Sequence, residues 1–232
     1  MIFSKIRAIF TIIQMAITVT VTIIFMYIFN KHNRKVRQIW GKIQMTLLGI
    51  TLDIKGEIDP NATMQVMNHQ ALLDIILFEY LHPKNLAWVA KKEIADIPWF
   101  GHILKAPKMI IIERENKSSL VQLIKDAKNR LEDDRPIAIF PEGTRSKGKK
   151  LLKFKAGAKL VAEKYSLLVQ PVVVIGTRDI LDSQNLIQKS GTVKIIYLPS
   201  VQAIRKTNWY EEVEESMNKV FNEEIKLINN AN

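Results

Sequence analysis

The chain has 232 residues, 47% apolar and 25% charged, a balance that excludes general disorder and allows one sizeable domain with an appendage. Its net charge of +11 favours phosphate-bearing partners, meaning nucleic acid, anionic lipid, an acidic carrier protein or a phosphorylated small substrate. With no cysteine, disulfides, thiolate metal sites and a Cys nucleophile are excluded.

The charge is uneven along the chain. Residues 1–50 hold seven Lys/Arg and no Asp/Glu, whereas the stretch from Thr207 onward holds two Lys and six Glu. Within the basic arm, Ala8 to Phe29 is a run of 22 residues without a charge. At about 1.5 Å per residue a helix of that length crosses a hydrocarbon layer of about 30 Å. The run is too long for a signal-peptide core, and no small-residue cleavage pattern follows it. Lys5 and Arg7 precede it while Lys31, Arg34, Lys35 and Arg37 follow, so the heavier basic flank places the main domain on the cytoplasmic side of a membrane. Four Thr and one Gln interrupt the run, which leaves open a helix that dips into one leaflet instead of spanning.

From Asn33 to Ile50, Val36, Ile39, Trp40, Ile43, Leu47 and Ile50 recur at helical spacing with basic residues between them. That is the pattern of a helix lying in a membrane interface or of one packing on a core, and its place after the apolar run favours the interface. Residues 1–52 are thus expected to form a membrane-binding helical arm and residues 53–232 an α/β domain. After Pro60, β-rich runs at Met64–Met67, Leu86–Ala90, Met109–Ile112, Ile137–Phe140, Val169–Ile175 and Val193–Tyr197 alternate with helical stretches, which predicts a mixed, mostly parallel sheet flanked by helices. The clearest helix is Ser118–Asp134, stopped by Pro136, and a last amphipathic, acidic helix covers about Trp209–Ile228.

In "NHQALLDI", Asn68 to Ile75, a histidine and an aspartate stand in an otherwise largely apolar segment. Residues five apart on a regular helix are rotated by about 140°, so His69 and Asp74 meet only if His69 sits in a turn. Asn68 suits a cap or turn after the strand-like TMQVM, and Ala71–Leu81 reads as a buried helix with Asp74 in its first turn. The carboxylate then reaches one imidazole nitrogen, fixes the tautomer and leaves the other free to accept a proton. Taken alone, such a pair is more often a structural histidine satisfied by a carboxylate, and it is the second motif that favours chemistry.

"FPEGTRS", Phe140 to Ser146, follows the apolar strand PIAIF, and Gly143 to Ala162 carry seven Lys/Arg and no acid. Backbone N–H groups around Gly143, the Thr144 hydroxyl and the Arg145 guanidinium form a candidate anion site, with Glu142 orienting Arg145 or binding a substrate hydroxyl. A nucleotide-binding P-loop is nearly matched, but Lys150 stands where its Ser/Thr would hold Mg²⁺. No G-x-S-x-G elbow is present, and His32, His82 and His102 lack metal-ligand spacing, so no metal is assigned.

Together NHQALLD and FPEGTRS resemble the glycerolipid acyltransferase family, most similar to its members that acylate 1-acyl-sn-glycerol-3-phosphate. The likeness runs from about Asn68 to Gly176 and takes in VAKKEIADIPWFG, IIIER, LLKFKAGA and VQPVVV in family order. The resemblance implies His69 as general base, Asp74 as its orienting partner, Glu142, Gly143, Thr144 and Arg145 as the acceptor-phosphate site, and Arg114 as a second phosphate contact. It also implies direct acyl transfer from acyl-CoA or acyl-ACP to the sn-2 hydroxyl of a lysophosphatidate at a membrane, with no cofactor and no nucleic acid. Glycerol 3-phosphate or another lysolipid as acceptor, and a catalytically inactive lipid-binding adaptor, are the alternatives. Three departures from the family pattern stand out: Glu113 replaces an Asp, Lys108 a glycine and Leu168 a proline.

Overall fold

The computed structural model describes residues 2–113 and 118–231. The apolar N-terminal run forms α1 (Ile2–Ile28), and a single 3-10 turn at Asn30–His32 leads into α2 (Asn33–Leu47). The stripe expected to be the packing or membrane face of α2 points away from the protein: Ile39 is 52% exposed, Ile43 46% and Leu47 56%. The buried face of α2 is instead Arg37, Gly41, Gln44 and Met45. Trp40 and Met45 pack against the core while Ile39, Ile43 and Leu47 face outward, so the helix packs on the domain by one face and leaves an apolar stripe open on the other.

The helix ends at Leu47, before the expected Ile50. Gly49, at φ +64, turns the chain back, and a Cβ at that position would lie 2.6 Å from Ser190 Oγ. Ile50 opens β1 (Ile50–Lys55), a strand that the sequence reading missed and that runs across position 52. Its side chains are half-buried or exposed, so the hydrophobic alternation of a strand is blunted there.

The remaining elements follow the alternation. They are β2 (Met64–Met67), α3 (Leu73–Leu81), β3 (Ala87–Lys91), the short α4 (Lys92–Ala95) and α5 (His102–Lys105), β4 (Ile110–Ile112), α6 (Ser118–Glu132) and β5 (Ile137–Ile139). Then come α7 (Ala156–Tyr165), β6 (Leu168–Ile175), α8 (Thr177–Ile180), a hairpin of β7 (Leu181–Asp182) and β8 (Ile187–Gln188), β9 (Gly191–Tyr197), β10 (Val201–Gln202) and α9 (Trp209–Ala231). Helix α6 stops two residues before the expected Asp134, which adopts φ +52 while Arg135 N–H donates to Arg130 O at 2.9 Å. That left-handed closure ends the helix before Pro136.

The main sheet has the order β1-β9-β6-β2-β5-β3-β4, with β10 pairing to β6 outside that path. Strands β2 to β6 are mutually parallel where they pair, and β9 is antiparallel to β6. The fold is therefore α/β with a mixed, mostly parallel sheet. One face packs Val66, Ile139 and Val173 against Leu123, Ala158 and Phe221 of α6, α7 and α9. The other packs Met67, Ala138 and Val174 against Ile76 and Leu77 of α3 and Met45 of α2. Because strands buried on both faces carry apolar side chains in both directions, β2 and β6 read as nearly continuous apolar runs.

The arm is fastened to the domain by a buried charge cluster. Arg37 donates to both oxygens of Glu79 at 2.6 Å and to Asn85 Oδ1 at 2.5 Å; Arg34 reaches Glu79 Oε2 at 3.2 Å, and Trp88 Nε1 donates to Glu79 Oε1 at 2.7 Å. At Gly41 a Cβ would come within 3.1 Å of Ile76 O, so α2 and α3 approach at a distance only glycine allows without adjustment. Removing Glu79 as Ala strands Arg37 in the interior and is expected to cost roughly 3–5 kcal/mol. Replacing both residues, as Arg37→Met with Glu79→Gln, is expected to cost less than Glu79→Ala alone, measured by chemical unfolding in detergent.

Lys108 adopts φ +52, a left-handed conformation that its side chain disfavours. Lys108→Gly is expected to stay within about 1 kcal/mol of wild type, relief of strain opposing the entropy of glycine, while Lys108→Val is expected to be clearly less stable. Thermal midpoints of the two variants check this.

Candidate active site

Adjacent parallel strands bring their carboxyl ends to one edge of the sheet, where ligands of open α/β sheets bind. Strand β2 ends at Met67 and is followed by Asn68 and His69; β5 ends at Ile139 and is followed by Phe140 and Glu142; β6 ends at Ile175 and is followed by Thr177. Asn68 extends the ladder by its side chain: Nδ2 donates to Val174 O at 2.8 Å and Oδ1 accepts from Val174 N–H at 2.7 Å. It closes the end of β2 against β6 and is not a helix cap. The next residue, His69, is thereby released from the sheet at a fixed point.

The chain then turns, and α3 begins at Leu73, two residues later than Ala71, with Asp74 in its first turn. Asp74 Oδ2 lies 2.7 Å from His69 Nδ1 and accepts the backbone N–H groups of Gln70 and Ala71 at 2.7 and 2.9 Å. Oδ1 accepts the Thr177 hydroxyl at 2.5 Å. Since an ionised carboxylate only accepts, the proton between the two side chains belongs to Nδ1, and Nε2 is left as an acceptor. Nε2 makes no hydrogen bond among the described residues. The ring lies flat on Phe140, with centroids 3.9 Å apart and planes 10° from parallel. Asp74 is wholly buried, while the His69 side chain keeps 11% of its surface exposed.

The second motif is tied to the first through backbone. His69 N–H donates to Glu142 Oε1 at 2.7 Å, and Ser146 N–H donates to His69 O at 2.7 Å. The other Glu142 oxygen accepts Leu152 N–H at 2.7 Å. Glu142 thus corrects its sequence reading. Its carboxyl is 1% exposed and both oxygens are taken by backbone donors, so it braces the two loops and orients neither Arg145 nor a substrate hydroxyl. Burial pushes this carboxyl up to about 7, against the opposing pull of the His69 and Leu152 N–H groups, and the Asp74 charge pushes in the same direction as burial.

Gly143 holds φ +68 in the turn, and a Cβ there would sit 3.0 Å from the Lys155 side chain. Thr144 and Arg145, which follow it, are exposed. Arg114, expected as a second phosphate contact, lies outside the described residues.

His69 and Arg145 line one apolar cavity of about 450 Å³. Its other walls are Ile12, Met15 and Val19 of α1, Ile75 of α3, Trp88 of β3, and Leu181 and Ile187 of the β7–β8 hairpin. Sequence reasoning found His69, Asp74 and the basic loop but not this roof of α1, nor Thr177, which holds the far oxygen of Asp74. Only VQPVVV, Val169–Val174, which resembles a family signature, pointed near Thr177.

A family model described as Acyltransferase matches residues 55–175. A Helicobacter pylori protein named 1-acyl-sn-glycerol-3-phosphate acyltransferase is 41% identical over 222 residues, covering 94% of this chain and 93% of that one. A Cocos nucifera protein of the same name is 33% identical over 74% of this chain, which spans 56% of that longer protein. Among solved structures, the 1-acyl-sn-glycerophosphate acyltransferase PlsC from Thermotoga maritima superposes with a TM-score of 0.69, covering 91% of this chain and 95% of that one; at 22% identity the likeness is one of fold. The matched segment contains His69, Asp74 and the loop from Glu142 to Arg145, and the chain belongs to the acyltransferase family.

Proposed function

We propose that the chain transfers a fatty acyl group from an acyl thioester to the sn-2 hydroxyl of 1-acyl-sn-glycerol-3-phosphate, giving phosphatidic acid and a free thiol. The observation that carries this reading is a buried His69–Asp74 pair whose imidazole borders the same apolar cavity as Arg145. A hydroxyl is far less acidic than an imidazolium, so the proton must leave as the C–O bond forms. His69 Nε2 takes that proton while the oxygen attacks the thioester carbonyl. The tetrahedral species collapses, the C–S bond breaks and the imidazolium returns the proton to the departing thiolate. Asp74 stays ionised throughout, holding the ring in register and stabilising its charged form.

The cavity suits the hydrocarbon of a lipid substrate, and Arg145 with Thr144 and the Gly143 backbone suits its phosphate. Arg114 is proposed as a further contact to that phosphate. The donor is acyl-CoA or acyl-ACP, both acidic and suited to a basic protein.

We further propose that α1 dips into one leaflet. By length and composition it could cross a bilayer, with Ser4–Ile28 the qualifying span. Both ends, however, are held against the body: Arg7 donates to Ser190 Oγ at 3.1 Å, and Tyr27 hydroxyl lies 2.5 Å from His102 Nδ1. Its hydroxyls turn inward, Thr18 accepting from Trp40 and Gln44, while Phe10, Ile13 and Ile17 face out. A helix held against a charged domain at both ends suits lying along a membrane surface. The basic residues on both flanks support a cytoplasmic surface, whose leaflet is the anionic one.

His69→Ala is expected to lower kcat with lysophosphatidate by roughly 10²- to 10⁴-fold with binding to anionic vesicles preserved, and to lower the thermal midpoint because buried Asp74 loses a donor. Wild-type rates in that variant, or no transfer by wild type with any thioester donor, would overturn the reading. Glu142→Gln is expected to alter the pH dependence of stability. Burial favours the protonated acid in the folded state, so wild type loses stability relative to the variant as pH rises from about 4.5 through about 7, and the gap is constant above that. Denaturant midpoints at a series of pH values measure it.

A further inference from the structure

Beside the apolar cavity lies a second cleft of about 520 Å³, lined by Lys147, Lys149, Arg178 and Lys189 together with Asp179 and Asp182. Its charges are not equivalent. Asp182 accepts Arg178 Nε at 3.1 Å and is further held by the N–H groups of Gln184 and Asn185, so these two opposite charges pair within the wall. Arg178 also donates to Ser146 O at 2.9 Å, which binds the wall to the loop that carries Arg145. Lys147, Lys149 and Lys189 remain, all exposed and without an ion pair among the described residues, against Asp179 alone. Lys147 and Lys149 flank Gly148, whose φ of +79 makes a tight bend between them.

The two cavities share a wall. Asp182 and Ile187 line both, and the β7–β8 hairpin turns Leu181 and Leu186 toward the apolar cavity and Gln184, Asn185 and Lys189 toward the cationic cleft. A ligand that fits both at once has a hydrocarbon chain at one end, several phosphates at the other and the reacting bond between. The acceptor lipid has only one phosphate, set beside its reacting hydroxyl.

We propose that this cleft binds the phosphates of a nucleotide-bearing acyl thioester, so that the acyl chain enters the cavity of His69 while the anionic end of the same molecule rests across the hairpin on Lys147, Lys149 and Lys189. The assignment rests on the acyl-transfer reading and specifies the donor side of that site. An acidic protein carrier, by contrast, would present its charge over a wide face and would not need cations gathered beside the mouth of the apolar cavity.

The test compares wild type with Lys147→Glu/Lys189→Glu and with Lys147→Ala/Lys189→Ala, all in detergent. For acyl-CoA as donor, KM is expected to rise about tenfold or more in the Glu pair and less in the Ala pair, while KM for lysophosphatidate stays within twofold. Desulfo-coenzyme A, which cannot react, is expected to bind wild type and to lose about tenfold in affinity in the Glu pair, with salt weakening the wild-type binding. Unchanged donor KM in both variants, an equal rise in acceptor KM, or a rise seen with acyl-ACP but not acyl-CoA each overturns the assignment. Any of these obtained with an active wild type leaves the acyl-transfer reading standing, whereas an inactive wild type removes the reading itself.

Discussion

A carboxylate with no exposure to water must be surrounded by donors, and meeting that demand at Asp74 organises the whole site. Two of its donors are backbone N–H groups at Gln70 and Ala71, which can point at one oxygen only if the chain turns sharply between β2 and α3. The third is His69 Nδ1, and the fourth comes from Thr177, beyond the end of β6. The imidazole is thus oriented by the same bonds that satisfy the buried charge. Its proton inventory is decided before any substrate arrives, because a carboxylate cannot donate.

The parallel sheet explains how motifs some seventy residues apart in sequence come to one place. Strand β2 lies between β5 and β6, so the residues that follow all three leave the sheet side by side. Glu142 and Ser146 then bond the main chain at His69 from opposite directions, one accepting and one donating. Phe140 fills the space beneath the ring. Positioning is therefore shared among backbone bonds, stacking and one buried charge, which suits a reaction whose base is too weak to remove the proton before attack begins.

How much of this was legible follows from which signals are local. Hydrophobic runs located β2, β3, β4, β5, β6 and β9, because strands buried on both faces must be apolar throughout. Strand β1 was missed because its side chains are half-exposed, and β7, β8 and β10 are two residues each, too short for any period to register. The His69–Asp74 geometry was readable because five-residue spacing permits only a turn. The role of Glu142 was misread since its partners are backbone groups at His69 and Leu152, and a backbone donor leaves no mark on residue identity. Thr177 was invisible for the opposite reason: its partner is 103 residues away. The outward apolar stripe of α2 was found, but its inward face is built on Arg37 and Gln44, which no hydrophobic pattern announces.

That inward face gives the arm a second task beyond meeting a membrane. Helices α1 and α2 roof the cavity that holds His69, and Arg37 and Glu79, the pair that anchors α2, also line it. Opening the roof would admit water to the imidazole and would uncover that ion pair, weakening it by raising the local dielectric. Phe10, Ile13 and Ile17 leave an apolar face exposed on the same helix that covers the cavity. The exposed face of α1 and the buried face beneath it thus belong to one helix, whose inner side covers the imidazole with apolar side chains and whose outer side is left apolar.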